Sequence, residues 1–204
     1  MHLLNLMLTC VRHGESAENL ILHRAQDPEA VQLHRANPPL TDTGKAQAAH
    51  TAKHLVETIQ RGQRVLGWTS QLDRAINTAA PLLEQLDLAK IPYDYQERSD
   101  LNEKKELIVG VKDNESLAAF IPRVAAFAKQ LAIDDSDYLV IVGHSVWISV
   151  LTSLLVNPDV ALDDLVYCNP NCGITRFQDG QLQTQGSVDH LPAALQTGLA
   201  FVRN

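Results

Sequence analysis

The stretch Tyr138-Leu139-Val140-Ile141-Val142-Gly143-His144-Ser145 decides the fold. An unbroken apolar run, rich in β-branched side chains, stops at Gly143, and Val146 to Leu155 then reads as a helix. A run that is apolar at every position, not every second one, fits a strand covered on both faces, as strands of parallel sheets are. A strand that feeds a helix is half of a βαβ unit.

The same alternation recurs on either side. Asn5 to Val11 is a short apolar strand, and Thr41-Asp42-Thr43-Gly44 opens a helix over Lys45 to Gln60, with Ala46, Ala49, Leu55, Val56 and Ile59 for a buried face. Arg64 to Thr69 reads as strand, Leu72 to Leu86 as helix, Ile91 to Tyr95 as a weak strand and Ser99 to Asn114 as loop. Glu115 to Ile133 is a helix whose Pro122 must kink it or sit near its first turns. Gly173 to Phe177 and Gln181 to Thr184 flank Asp179-Gly180, a hairpin signal. We therefore expect one α/β domain over residues 1–204. It has three layers, α/β/α, with a mainly parallel central sheet and a late antiparallel hairpin. In such sheets the ligand sits beyond the carboxyl ends of the strands. That places Arg12-His13-Gly14 and Gly143-His144-Ser145 on one rim.

Composition narrows the function. The 204 residues are 45% hydrophobic and 20% charged, which suits a globular chain with a real core. A net charge of -7 argues against nucleic acid or an anionic membrane surface as partner. The apolar start lacks a basic n-region and a small-residue cleavage site, so a cytoplasmic protein is expected. Three cysteines, Cys10, Cys168 and Cys172, show no paired spacing, and with His190 they do not form a zinc pattern. No metal and no cofactor are expected. Oligomeric state is not readable.

The chemistry concentrates in Val11-Arg12-His13-Gly14-Glu15-Ser16-Ala17-Glu18-Asn19. A neutral imidazole is a competent phosphoryl acceptor, and a guanidinium fork bonds two phosphate oxygens at once. Gly14 leaves room for close approach. Gly143-His144-Ser145 adds a second imidazole, and a helix beginning there offers free N–H groups to an anion. Ser145 is also a plausible helix cap.

Together these residues resemble the histidine phosphatase superfamily, also called the phosphoglycerate mutase-like family. Pro39 to Ala48, Ser70 to Ala79 (with Arg74), Leu101-Asn102-Glu103, Val142 to Ser145, and Asn171 to Thr175 with His190-Leu191 resemble its further segments in order. The resemblance implies that His13 becomes phosphohistidine. It implies that Arg12, Arg74, His144 and Asn19 hold the phosphate oxygens with the Ser145 N–H, and that Glu103 is the acid/base. Ser16 is either a phosphate-loop ligand or a turn-former. The roles ask for a neutral His13 beside a charged His144. After Glu103 the sequence departs from the family pattern, running Lys104-Lys105-Glu106-Leu107-Ile108-Val109-Gly110-Val111, so Glu97, Asp100 and Glu106 compete with it. Leu20 to Asn37, with His23, Arg24, His34 and Arg35, lacks the pattern typical of the mutases and could line the mouth.

The implied activity is hydrolysis of a small phosphorylated metabolite. A mutase returning the phosphoryl group to substrate is the alternative, and a non-catalytic phospholigand-binding protein is a third reading. An esterase using Ser145 with Asp163 or Asp164 and His190 is disfavoured, because Trp147 stands where the sharp nucleophile turn needs glycine.

Overall fold

Strand pairing accounts for most of the architecture. In a computed structural model, residues 7–24, 37–60, 62–104, 115–131, 137–160 and 169–198 are described. β1 (Met7–Arg12) pairs in parallel with β4 (Asp137–Gly143), which pairs in parallel with β2 (Arg64–Ser70). β3 (Tyr93–Arg98) extends β2, again in parallel. On the other side of β1, β5 (Ile174–Gln178) runs antiparallel and is closed by β6 (Gln181–Ser187). The order is β3-β2-β4-β1-β5-β6. The mainly parallel α/β fold with a late hairpin is the observed one.

Both faces of the sheet are covered. α2 (Asp42–Thr58) and α3 (Asp73–Ala89) pack on one face through Ala52, Leu55, Ala75, Ala79, Leu82 and Leu86, against Val11, Tyr138, Val140 and Val142. α4 (Leu117–Lys129) and α5 (Ser145–Val156) pack on the other through Phe120, Val124, Phe127, Trp147, Ile148 and Leu151, against Leu8, Cys10, Leu139 and Ile141. Neighbours along β1 and β4 thus point to opposite apolar layers, which is why β4 is apolar throughout.

The element boundaries depart from the sequence reading where local interactions decide them. α1 (Ala17–Arg24), which the sequence reading did not assign, begins straight after the His13 loop. Thr41 caps α2 by accepting from the Gly44 N–H, so that helix starts three residues early. β3 lies further along than Ile91 to Tyr95 because it takes its register from β2, with Val65 opposite Tyr93. Part of the expected loop, Ser99–Leu101, is a 3₁₀ turn, and residues 105–114 lie outside the described residues. α4 begins only after Ser116, whose hydroxyl accepts from Ala119 N–H, and Pro122 falls in its second turn. The hairpin turn carries positive φ at both Asp179 (54°) and Gly180 (74°), as a primed two-residue turn requires.

Beyond β6 the chain returns to α2. His190 Nε2 meets Thr51 Oγ1 at 2.9 Å, and its ring stacks on His54 with centroids 5.1 Å apart. Burial first, then His54, His50 and Arg176, push His190 down to about 4, against an opposing contribution from Asp189. A depressed histidine leaves the folded state binding fewer protons than the unfolded chain between about 4 and 6.5, so stability falls as pH drops through that window. His190→Gln keeps an amide facing Thr51 and removes the titration. We expect thermal melts from pH 7 to 4.5 to show a shallower acid decline in this variant; an unchanged decline would exclude His190 as its source.

Candidate active site at the carboxyl ends of β1 and β4

The two motifs meet because β1 and β4 lie side by side, Arg12 opposite Gly143. The ladder runs one step further, His13 N–H donating to Gly143 O at 2.9 Å. Past that bond the backbone turns, and the Gly14 N–H donates to Thr78 Oγ1 at 2.9 Å. The Thr78 hydroxyl in turn donates to Arg74 O at 2.6 Å, tying the loop to the first turn of α3.

The ring of His13 has a defined tautomer. Nδ1 lies 2.8 Å from Gly14 O, and Nε2 lies 3.2 Å from Arg74 Nε. A carbonyl only accepts and a guanidinium only donates. Nδ1 therefore carries the hydrogen, and Nε2 presents its lone pair. Burial, then Arg74 and Arg12, hold the pKa of His13 well below the usual histidine value. The ring is thus neutral and oriented, with its lone pair on Nε2.

His144 occupies the N-cap position of α5, and its Nε2 lies 2.7 Å from Ser70 Oγ. The rings of His13 and His144 stand edge-on, centroids 5.2 Å apart. Sequence reasoning wanted His144 charged. His144 is fully buried, no carboxylate is among the groups acting on it, and burial first, then Arg74, His13, Arg12 and Arg123, push its pKa well below the ordinary value, which favours the neutral ring. It also takes the cap place considered for Ser145, which is the first helical residue instead.

Glu103 is buried, with Oε1 accepting from its neighbour Lys104 N–H at 3.0 Å and Oε2 from Val146 N–H at 3.2 Å. Its carboxylate thus satisfies one of the free N–H groups at the start of α5. Burial raises its pKa, opposed by those two bonds and by Arg74 and Arg12. Of the competing carboxylates, Asp100 is held bidentate by Arg98 at 3.0 and 2.7 Å, Glu97 is exposed on β3, and Glu106 lies outside the described residues.

Arg12 is pushed down to about 10 by burial, with Glu103 pulling the other way and Arg74 adding to the shift; Arg74 is likewise lowered, chiefly by burial. Arg12 Nη1 donates to Asn169 O at 2.8 Å. Among the described residues, Arg12 Nε, Arg74 Nη1 and His144 Nδ1 are buried without a hydrogen-bond partner. Buried donors ordinarily have one. Two guanidinium donors and an imidazole nitrogen, on mutually interacting residues, suit a tetrahedral anion with several acceptor oxygens.

Two residues assigned to the ligand also have structural duties. A Cβ at Gly14 would lie 2.5 Å from Gly44 O, so the space there is taken by α2. Ser16 Oγ accepts from Asn19 N–H at 3.3 Å while Ser16 N–H donates to Asn19 Oδ1 at 3.2 Å, which makes Ser16 the turn-former at the start of α1. Asn19 Oδ1 also accepts from Asn171 Nδ2 at 2.9 Å, which places Asn19 beside the His13 loop.

Sequence reasoning missed the residues that hold this arrangement. Asn169 donates to Ser145 O (3.2 Å) and Ser149 Oγ (2.8 Å) and accepts from Thr175. Gln47 accepts from Glu15 N–H at 2.7 Å and donates to Leu195 O and Thr197 Oγ1. Ser70 and Thr78 complete the set. Gln47, Ser70 and Thr78 lie in segments that carry the resemblance but were given no role there, and Asn169 had no signal beyond its polarity.

His190, bonded to Thr51, stacks on His54 and is not the partner of Ser145 that the esterase reading requires; Asp163, Asp164 and Cys168 lie outside the described residues. Cys10 and Cys172 are buried free thiols. Among the described residues no group of three or more His, Cys, Asp or Glu is placed to hold a metal ion, and no helix is long and apolar enough to cross a membrane. The side chains of His23 and Arg24, and all of His34 and Arg35, are outside the described set.

Residues 8–186 match the family model described as the histidine phosphatase superfamily (branch 1). No curated protein matches the chain. Among solved structures, an Escherichia coli protein provisionally assigned as an alpha-ribazole-5'-P phosphatase is similar, with TM-score 0.64 and 20% identity over 89% of this chain and 96% of that one. The Bacillus stearothermophilus protein YhfR gives 0.63 and 20% over 91% and 98%. A mycobacterial glucosyl-3-phosphoglycerate phosphatase, solved with inorganic phosphate, gives 0.58 and 18% over 92% and 100%. These likenesses are to the fold.

The back-to-back glycines make a sharp test of the loop. A Cβ at Gly44 would lie 2.1 Å from Glu15 O, a backbone atom that cannot swing away. We expect Gly44→Ala to cost roughly 1–3 kcal/mol in denaturant melts and to lower turnover by displacing His13. Wild-type stability in this variant would refute the packing argument.

Proposed function

This chain belongs to branch 1 of the histidine phosphatase superfamily and is a phosphatase of that type; on that premise we propose that it hydrolyses small phosphomonoesters through a phosphohistidine at His13, without a metal. The observation that carries the proposal is the pair of bonds on the His13 ring, a carbonyl on Nδ1 and a guanidinium on Nε2. Together they leave a lone pair on Nε2 in a site rich in unpartnered donors.

In the first half-reaction Nε2 attacks phosphorus, the P–O bond to the leaving group breaks, and its electrons pass to the leaving oxygen, which takes the proton of Glu103. Arg74 then donates to phosphate oxygens in place of Nε2. Arg12 Nε, Arg74 Nη1 and His144 Nδ1 satisfy the equatorial oxygens, with the Ser145 N–H and Asn19 at the periphery. In the second half-reaction water gives a proton to the Glu103 carboxylate and attacks phosphorus, and the P–N bond returns its electrons to Nε2. Such a transfer asks the protein mainly for positioning and charge stabilisation. A neutral His144 serves as hydrogen-bond donor here, and the two guanidiniums supply the charge.

Burial shapes the pH profile of this scheme. The reacting forms are neutral His13, with its pKa far below the usual value, and protonated Glu103, with its pKa raised. Activity should therefore not collapse near pH 6.5 on the acid side, and it should decline as pH rises through the raised pKa of Glu103. With phenyl phosphate, Glu103→Gln is expected to lower kcat by ~10²–10⁴-fold and to abolish that alkaline limb. A limb that survives unchanged in the variant would assign the acid to another group.

The decisive assay is p-nitrophenyl phosphate hydrolysis with EDTA present, wild type against His13→Ala. Turnover that persists with chelator and falls to background in the variant supports the proposal. Phosphoglycerate isomerisation without net phosphate release would favour a mutase, and phosphate binding without turnover a binding protein; either result would displace it.

A further inference from the structure

Glu103 can serve as an acid only if its backbone is fixed, yet it follows a single 3₁₀ turn at the end of an edge strand. The structure fixes it from α4. Arg123 Nη1 donates to Asp100 O at 2.8 Å and Asn102 O at 3.0 Å, the second being the carbonyl of the peptide that leads into Glu103. The other edge of the same guanidinium is locked, Nε and Nη2 meeting the Glu115 carboxylate at 3.0 and 2.9 Å. Its Cζ lies over the Phe120 ring, 4.8 Å from the centre. Four of its five donors are engaged in one plane, so the group has little freedom left. Trp147 Nε1 adds a bond to Asp100 O at 2.9 Å, from the same helix whose Val146 N–H holds the Glu103 carboxylate.

We infer that Arg123 is a positioning residue for the general acid, holding the peptide before Glu103 so that its carboxyl faces the leaving oxygen. This rests on Glu103 being the acid. The guanidinium is not confined to its carboxylate partner: one nitrogen donates to two carbonyls of the segment that carries the acid, one of them in the peptide that enters Glu103. Lysine cannot substitute, because an ammonium cannot bridge two carbonyls and a carboxylate in one plane.

An acid matters for poor leaving groups and hardly at all for good ones, which gives a readout that loss of stability does not mimic. The experiment compares kcat/KM for benzyl phosphate and p-nitrophenyl phosphate in wild type, Arg123→Met, Arg123→Lys, Glu103→Gln and the double variant Glu103→Gln/Arg123→Met. We expect Arg123→Met to lose on the order of 10²-fold on benzyl phosphate, as for a displaced catalytic group, while p-nitrophenyl phosphate turnover changes little. Arg123→Lys should not restore the benzyl rate. The double variant should be no worse on benzyl phosphate than Glu103→Gln alone, because the two residues serve one step.

Equal losses on both substrates, or additive losses in the double variant, would overturn the inference while leaving Glu103 in place. If Glu103→Gln itself shows no preference between the substrates, the acid assignment falls and the positioning role with it. Should Arg123→Met not fold, Glu115→Gln releases one edge of the fork and must show a smaller loss with the same selectivity; a loss without selectivity there would overturn the inference too.

Discussion

Arg12 and Gly143 face each other across β1 and β4, and the pairing ends in the bond from His13 N–H to Gly143 O. Every other site residue takes its place from that register. A slip of one residue would turn Leu8 and Cys10 away from the α4–α5 layer and Val11 away from the α2–α3 layer. It would also carry Arg12 to the wrong face. Because both faces are apolar and each is packed by its own pair of helices, the two cores together lock the register, and the register places the two histidines on one rim. Stability and site geometry are here the same constraint.

The site draws on that stability. Burying two guanidiniums and two imidazoles with three donors unpartnered runs against the rule that buried polar groups are satisfied, at roughly 1–3 kcal/mol for each such group. The local compensation is partial: Asn169 O takes one donor of Arg12, and Glu103 acts on both guanidiniums. The rest is carried by apolar layers on either side of the sheet. Gln47 and Asn171 add a second tie, fastening residues 195–197 to the His13 loop so that the far end of the chain braces its beginning.

How much of this was legible depended on the range of the interaction. β4 and the hairpin could be read because local patterns determine them, a two-faced apolar run and a turn with two positive-φ residues. His13, Arg12, Arg74, His144 and Glu103 could be named by resemblance, and the structure brings them together. The supporting residues could not be named. Arg12 meets Asn169 across 157 positions and Gln47 meets Leu195 across 148, separations over which no periodicity survives. Gly14 was read as room for a ligand because nothing in its neighbourhood announces Gly44. The charge expected on His144 followed from its role alone, whereas its burial against guanidiniums depends on the packing of three elements.

That same burial resolves what looked like a contradiction. A charged second imidazole was wanted to stabilise phosphate, yet the site already has two cations and one fully desolvated environment. Desolvation always favours the neutral form, so it moves histidines down and carboxyls up. His13 is thereby shifted toward the unprotonated form and Glu103 toward the protonated form, as the proposed roles of nucleophile and acid require. No carboxylate partner is needed to activate His13, because the Gly14 carbonyl fixes its tautomer and Arg74 and Arg12 repel the competing proton. A single physical cause, burial around a pair of guanidiniums, thus shifts both groups toward the forms that the proposed nucleophile and acid require.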